Sequence, residues 1–126
     1  VEKTYKKLIK ELDAIYSKYI RKRDKGVCFT CGKEAPQKKM QAGHYISRRV
    51  LSCRYYDKNV HCQCVACNIY KEGNKPAYAL ALQKKYGKGI LEELDSLSHI
   101  SIKYTRGKLS GMIFYYKEKY GEENKT

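Results

Sequence analysis

No stretch of about 18 consecutive apolar residues occurs in this sequence, and a charged residue already stands at position 2. Neither a membrane span nor a secretory leader is therefore expected, and the chain reads as cytoplasmic. Internal repeats and low-complexity tracts are also missing, which sets aside solenoids and disordered tails. There is no tryptophan, so the aromatic content rests almost wholly on 13 tyrosines. Packing in a core or along a helix is the plain reading of most of them, and stacking on bases the sharper one. Acidic residues are scarce, 13 against 27 lysines and arginines, leaving a formal charge of +14 on 126 residues. Such a field captures polyanions quickly and weakens with salt. It points to nucleic acid without separating DNA binders from RNA or heparin binders.

What is present suits one globular α+β domain, since 126 residues leave no room for two cores. Tyr5, Leu8, Ile9, Leu12, Ile15, Tyr16, Tyr19 and Ile20 recur at steps of three and four. They predict an amphipathic helix within residues 1–24, with Lys6, Lys7, Lys10, Lys18 and Lys22 opposite. Residues 25–75 form a turn-rich core with short strands at Met40–Ile46 and Val60–Cys64, the second running into a helix near Cys67. Residues 76–126 are helical, with helices at Tyr78–Tyr86, around Ile90–Leu97 and from Leu109 to Tyr120. A loop over 98–107 and a polar tail over 121–126 complete the reading.

Six cysteines in a chain of this kind argue for metal rather than disulfides. Cys28-Phe-Thr-Cys31 and Cys64-Val-Ala-Cys67 are two Cys-x-x-Cys turns. Each turn can aim two sulfurs at one ion, and two turns complete a tetrahedron. Four soft thiolates suit Zn²⁺ in a closed, structural site. Cys53 and Cys62 belong to neither pair and read as small buried thiols.

Between and beside these turns lie Gly43-His44-Tyr45, Asp57-Lys58-Asn59-Val60-His61 and Asn68. The run Asn59…Cys64-Val65-Ala66-Cys67-Asn68-Ile69-Tyr70-Lys71 resembles the HNH (ββα-metal) nuclease motif. The longer strings Gln41–Arg48, Arg54–Cys64 and Cys67-Asn68, together with the downstream helices, are similar to the phage NinG (Rap) recombination proteins over nearly the whole chain. The resemblance implies a zinc-stapled ββα-metal core and a divalent-metal-dependent endonuclease. Branched DNA such as Holliday junctions or D-loops is the implied substrate, and the host-cell cytoplasm the implied location.

Phosphodiester hydrolysis needs a proton acceptor for water and a cation to offset phosphate charge. His44 is the expected general base. Asn68 is expected to offer its amide oxygen to a catalytic Mg²⁺ or Mn²⁺, and Asn59 to brace the loop that aims His44. Many HNH enzymes carry a metal-binding Asp just before the base. Gly43 stands there, and Asp57 and His61 are the nearest substitutes in sequence. Lys38, Lys39, Arg48, Arg49, Arg54 and Lys71 are candidate DNA contacts, because guanidinium and ammonium groups match phosphate oxygens. Symmetric junction cutting makes a homodimer a natural expectation, through the first or the last helix, and phage recombination proteins are expected partners. Two rival readings are a general HNH nuclease and a zinc-containing nucleic-acid-binding module without catalysis.

Overall fold

The computed structural model describes residues 3–125. Its elements in chain order are α1 (Tyr5–Arg23), β1 (Gln41–His44), α2 (Leu51–Arg54), β2 (Val60–Gln63), α3 (Lys75–Tyr86), α4 (Ile90–Ser98) and α5 (Arg106–Lys125). Leu8, Leu12, Tyr16 and Ile20 recur every fourth residue on α1 and all are buried, so the helix is fixed by one apolar stripe. Each such leucine contributes roughly 1.5–3 kcal/mol by leaving water. The hydroxyl of Thr4 caps the first turn by accepting from the Lys7 N–H at 3.2 Å. Arg21, Lys22 and Arg23 sit in the last turn, where cations oppose the helix dipole. The helix ends at Arg23, and Gly26, with a φ of +71° and its N–H bonded to the Arg21 carbonyl, turns the chain back. A β-carbon there would stand 2.5 Å from the Ala35 carbonyl oxygen.

The partner of that stripe is α5. Leu109, Ile113 and Tyr116 join it in one cluster with Tyr55 and Val60, and the Tyr16 and Tyr116 rings meet edge-on at 4.8 Å. The inner apolar faces of the first and last helices thus cover each other, leaving Phe114 and Tyr115 exposed on α5. β1 and β2 form a two-stranded antiparallel sheet with Gln41 opposite Gln63 and His44 opposite Val60. All four residues of β2 are buried, because both faces of the sheet are covered. Ala42 and Val60 pack toward α1 and α5. On the other side lies a separate cluster, in which Tyr78 and Leu82 of α3 pack on Ile90 and Leu94 of α4. No helix among the described residues is long and apolar enough to cross a membrane.

Several boundaries differ from the sequence expectation. The helix near Cys67 is one wide turn, Ala66–Tyr70, closed by the Lys71 N–H on the Ala66 carbonyl. The next helix starts at Lys75 rather than Tyr78, because Asn74 takes a left-handed conformation and Pro76 suits the first turn. The last helix begins earlier, at Arg106, and continues through the polar segment to Lys125, while Thr126 lies outside the described residues. A helix already anchored by packing extends at little cost through polar residues. The short α2 carried no periodic signal that could announce it.

Candidate active site

The two Cys-x-x-Cys turns form a four-cysteine knuckle that frames the site. The Cys28 N–H donates to the Lys33 carbonyl at 2.8 Å and the Gly32 N–H to the Cys28 carbonyl at 2.9 Å, folding the first Cys-x-x-Cys into a tight turn. The Phe29 N–H then ties this turn to β2 through the Cys62 carbonyl at 2.8 Å. The second pair straddles the end of β2, and the sulfur atoms of Cys28, Cys31, Cys64 and Cys67 all lie within 4.8 Å of one another. Cys31 Sγ and Cys64 Sγ are 3.7 Å apart. That is far beyond a disulfide bond, and close to the separation of about 3.8 Å between thiolates at tetrahedral positions around zinc. The Cys67 N–H and the Asn74 amide point at Sγ atoms of the cluster, at 3.5 and 3.6 Å, which suits charged sulfur. The donor set fits a structural Zn²⁺. Cys53 and Cys62 are buried thiols outside it.

One edge of this frame opens as a cleft of about 370 Å³ whose lining includes His44, Asn68 and Arg48 from the sheet side and Asp13 and Arg21 from α1. His44 Nε2 lies 2.9 Å from the Arg54 carbonyl oxygen, so Nε2 carries the hydrogen and donates it. Nδ1 is left as the lone-pair nitrogen. Among the described residues the Gln63 Oε1 is the one buried side-chain polar atom without a partner, so His44 Nδ1 is reached by solvent. Burial holds His44 below the ordinary histidine range, opposed in part by the Arg54 carbonyl, so the ring is neutral at pH 7.

The backbone around His44 is held from two directions. Asn59 is fully buried; its Oδ1 accepts from the Ile46 N–H at 2.8 Å, and its amide donates to the carbonyls of Ile46 (3.0 Å) and Cys53 (3.1 Å). The Asn59 carbonyl also accepts from the Tyr45 N–H at 2.9 Å. From α3, the Lys75 ammonium donates to the carbonyls of His44 (2.6 Å) and Tyr45. Lys75 had no place in the sequence reading, and a lysine beside a proline gives no signal of such a tether. Asn68 donates to Gln41 Oε1 at 2.7 Å and has no partner for its own Oδ1 among the described residues.

Other candidates lie elsewhere. His61 is not on the cleft. It stacks on Phe29 at 3.9 Å and bonds the hydroxyls of Tyr78 (3.1 Å) and Tyr86 (2.8 Å). Tyr78 gives its proton to the Gly43 carbonyl at 2.7 Å, so His61 Nδ1 donates to Tyr78, and Nε2 accepts from Tyr86. Burial drives the His61 pKa down to about 3. Asp57 turns toward α1, where its two oxygens accept from Tyr16 (2.9 Å) and Tyr19 (3.2 Å). Neither substitute for the missing acid reaches His44, because strand alternation and the packing of α1 direct both away. Lys38, Lys39, Arg49 and Lys71 are exposed, and Arg48 is exposed at the cleft rim. Arg54 is a different case. Its guanidinium grips Asp13 through two bonds of 3.1 and 2.5 Å, so its charge is neutralised within the protein.

A hard divalent ion asks for oxygen donors, carboxylates above all. On the cleft the carboxylate is Asp13, with Arg54 on both oxygens and the Tyr55 hydroxyl on one at 2.7 Å. Gln41 Oε1 is taken by Asn68 and Gly43 has no side chain. Asn68 Oδ1 and His44 Nδ1 remain, and those two do not build a site for Mg²⁺ or Mn²⁺. Among the described residues the four-cysteine group is the one cluster of metal-binding side chains.

Fold and site together define a small α+β protein built around a four-cysteine cluster able to hold a metal ion, with a histidine-containing cleft between the two-stranded sheet and α1. The profile of the family described as "Bacteriophage Lambda NinG protein" matches residues 1–125, and the chain belongs to this NinG family. It is similar to the protein ninG of Escherichia phage lambda, 29% identical over 113 residues that cover 88% of this chain and 54% of that protein. The same identity over the same length relates it to the protein ninG of Salmonella phage P22, of which 55% is covered. The protein ninG of Enterobacteria phage H19B is 31% identical over 90 residues, covering 70% of this chain and 44% of the relative. The chain thus spans about half the length of these relatives. No solved structure matches it.

Proposed function

We propose that this chain is an endonuclease that hydrolyses phosphodiester bonds in DNA, with branched recombination intermediates as its substrate. The observation that carries the reading is the state of His44. Its Nε2 proton is fixed on the Arg54 carbonyl, which leaves the Nδ1 lone pair open on a solvent-filled cleft shared with Asn68. In this reading a water in the cleft gives its proton to Nδ1 while its oxygen bonds phosphorus. The opposite P–O bond breaks, and the departing alkoxide takes a proton from solvent. Asn59 and Lys75 act through the backbone, holding the end of β1 so that the imidazole keeps its aim. The zinc knuckle is structural and stands apart from the reacting atoms. Branch selectivity rests on the resemblance to the recombination proteins, and the +14 charge supports a nucleic-acid partner.

A binding module without catalysis is the second reading, favoured by Gly43 where the acidic residue of many HNH enzymes stands. One assay separates the two. The chain is incubated with linear duplex, single strand and a four-way junction, with Mg²⁺ or Mn²⁺ supplied. Nicking confined to the junction and abolished by His44→Ala supports the proposal. Retardation of DNA with no nicking would leave the binding module, and equal cleavage of linear duplex would remove the branch selectivity.

A further inference from the structure

We infer that Arg21 of α1, paired across the cleft with Arg48, is a phosphate-binding residue for the nucleic-acid backbone. The inference rests on the reading of this cleft as a DNA site. Charge accounting leads to it. Of the groups on the cleft, Asp13 is matched by Arg54, and the ring of His44 is held on a neutral carbonyl. Arg21 donates from Nε to the Ser17 carbonyl at 3.2 Å and from Nη1 to the Gln37 carbonyl at 2.9 Å. Carbonyl oxygens orient a guanidinium without cancelling its charge. No carboxylate lies within ion-pair distance of Arg21 or Arg48 among the described residues. Two uncompensated guanidinium groups therefore border one 370 Å³ cleft that holds no unpaired acid.

That electrostatic pattern selects an anion, and the planar fork of arginine selects a phosphate or carboxylate over a halide. The surroundings favour a polymer of phosphates. The Gln37 carbonyl that holds Arg21 opens the turn Gln37–Lys39, whose Lys38 and Lys39 are exposed and extend the positive surface beyond the cleft. Arg21 is also pre-oriented, because two of its nitrogens are already fixed on backbone and the Nη2 end remains to donate. The cation that meets the phosphate charge is then supplied by α1, in the place where Arg54 was expected and where the side chains build no divalent-ion site.

The test uses the full chain carrying His44→Ala, so that DNA stays intact, and reads binding to a fluorescent four-way junction by anisotropy across a series of KCl concentrations. Arg21→Gln is expected to weaken binding about tenfold or more at low salt and to lower the slope of log K against log salt by about 1. Arg21→Lys, which keeps the charge, is expected to retain the slope. Lys88→Gln, the same loss of charge away from the cleft, is expected to leave the slope within error. A thermal midpoint measured on each variant separates loss of fold from loss of contact. If folded Arg21→Gln binds with the parent slope, or if Arg21→Lys loses as much slope as Arg21→Gln, the assignment of Arg21 is overturned while the DNA reading stands. If the His44→Ala parent does not bind the junction at all, the DNA reading itself fails and this inference with it.

Discussion

The side-chain oxygen of Gln63 stands 1.8 Å from the point where a β-carbon on Gly43 would lie, so the two positions share one space across the sheet. Gln63 cannot easily yield it, because its amide donates to the Thr30 hydroxyl at 3.1 Å and to the Gly73 carbonyl at 2.8 Å. The oxygen faces the glycine Cα–H without a conventional donor. This explains why an acidic residue has no room before His44. Gly43→Ala is expected to destabilise the fold by about 1–3 kcal/mol through overpacking. Gln63→Ala in the same chain is expected to relieve part of that cost, giving a coupling of at least about 1 kcal/mol in a double-mutant cycle read by urea unfolding. Strict additivity would show that the two residues do not compete.

Removal of the knuckle ion is expected to unfold the middle of the chain rather than only loosen it. The packed groups around the sulfurs are Met40, Cys62 and Ala35, too few to hold the turns without metal. Chelation under reducing conditions should abolish the near-ultraviolet circular dichroism of the Phe29, His61 and Tyr78 ring cluster and lower the unfolding midpoint sharply. Cobalt added in place of zinc should bind one ion per chain with the absorption of a tetrahedral tetrathiolate. Cys28→Ser should weaken that binding. A chelated chain that unfolds at the same midpoint as the untreated one would refute a structural metal.

How much of this the sequence could announce depends on where each signal lives. The knuckle was legible because metal geometry forces a two-residue gap inside each pair, and α1 because burial of one face forces steps of three and four. The far wall of the cleft was not. Asp13, Ser17 and Arg21 form a stripe four residues apart on α1, but on a charged helix such a stripe cannot be told from a solvated face until the sheet is placed against it. For the same reason Arg54 read as a phosphate contact. Its acid partner lies 41 residues upstream and meets it only through the packing of α1. The wide turn at Ala66–Tyr70 holds Cys67 just after Cys64 has left the strand, and five residues carry no periodic signal that would set it apart from an ordinary helix.

Asn59 bears on stability and on the cleft together. The residue is fully buried and makes three side-chain hydrogen bonds, two to the Ile46 backbone and one to the Cys53 carbonyl. Asn59→Asp keeps the shape but turns an acceptor toward the carbonyls of Ile46 and Cys53. A loss of at least about 2 kcal/mol is expected, together with faster amide exchange across residues 46–53. An Asn59→Asp chain as stable as the parent would count against the brace.

His61 gives the fold an acid limit. The folded value, near 3, is below that of a free histidine near 6.5, because the ring is buried between Phe29 and two tyrosines. Between these values the unfolded chain binds a proton that the folded chain does not. The stabilising contribution is therefore complete above pH 6.5 and is lost as the pH falls toward 3, at up to about 1.4 kcal/mol per unit. Thiolate protonation at the knuckle adds its own acid sensitivity, so the informative quantity is a difference. His61→Phe keeps the stack and removes the titration. Its urea midpoint should fall less steeply than that of the parent between pH 6.5 and 4. Parallel curves would mean that His61 is already free to ionise in the folded protein.

His44 should set the acid edge of a different profile, that of the proposed reaction. Burial lowers its pKa and the Arg54 carbonyl only partly restores it, so the basic form that the proposed reaction requires predominates at neutral pH. Single-turnover cleavage of a junction is then expected to rise with unit slope in the acid range through a midpoint below 6.5. His44→Ala is expected to lower the rate by about 10²–10⁴-fold. Because Nε2 donates to a backbone carbonyl, ¹⁵N spectra of the ring at pH 7 should report the Nε2–H tautomer. A midpoint above 6.5, or a ring protonated at Nδ1 in its neutral form, would remove Nδ1 as the atom that receives the proton from water.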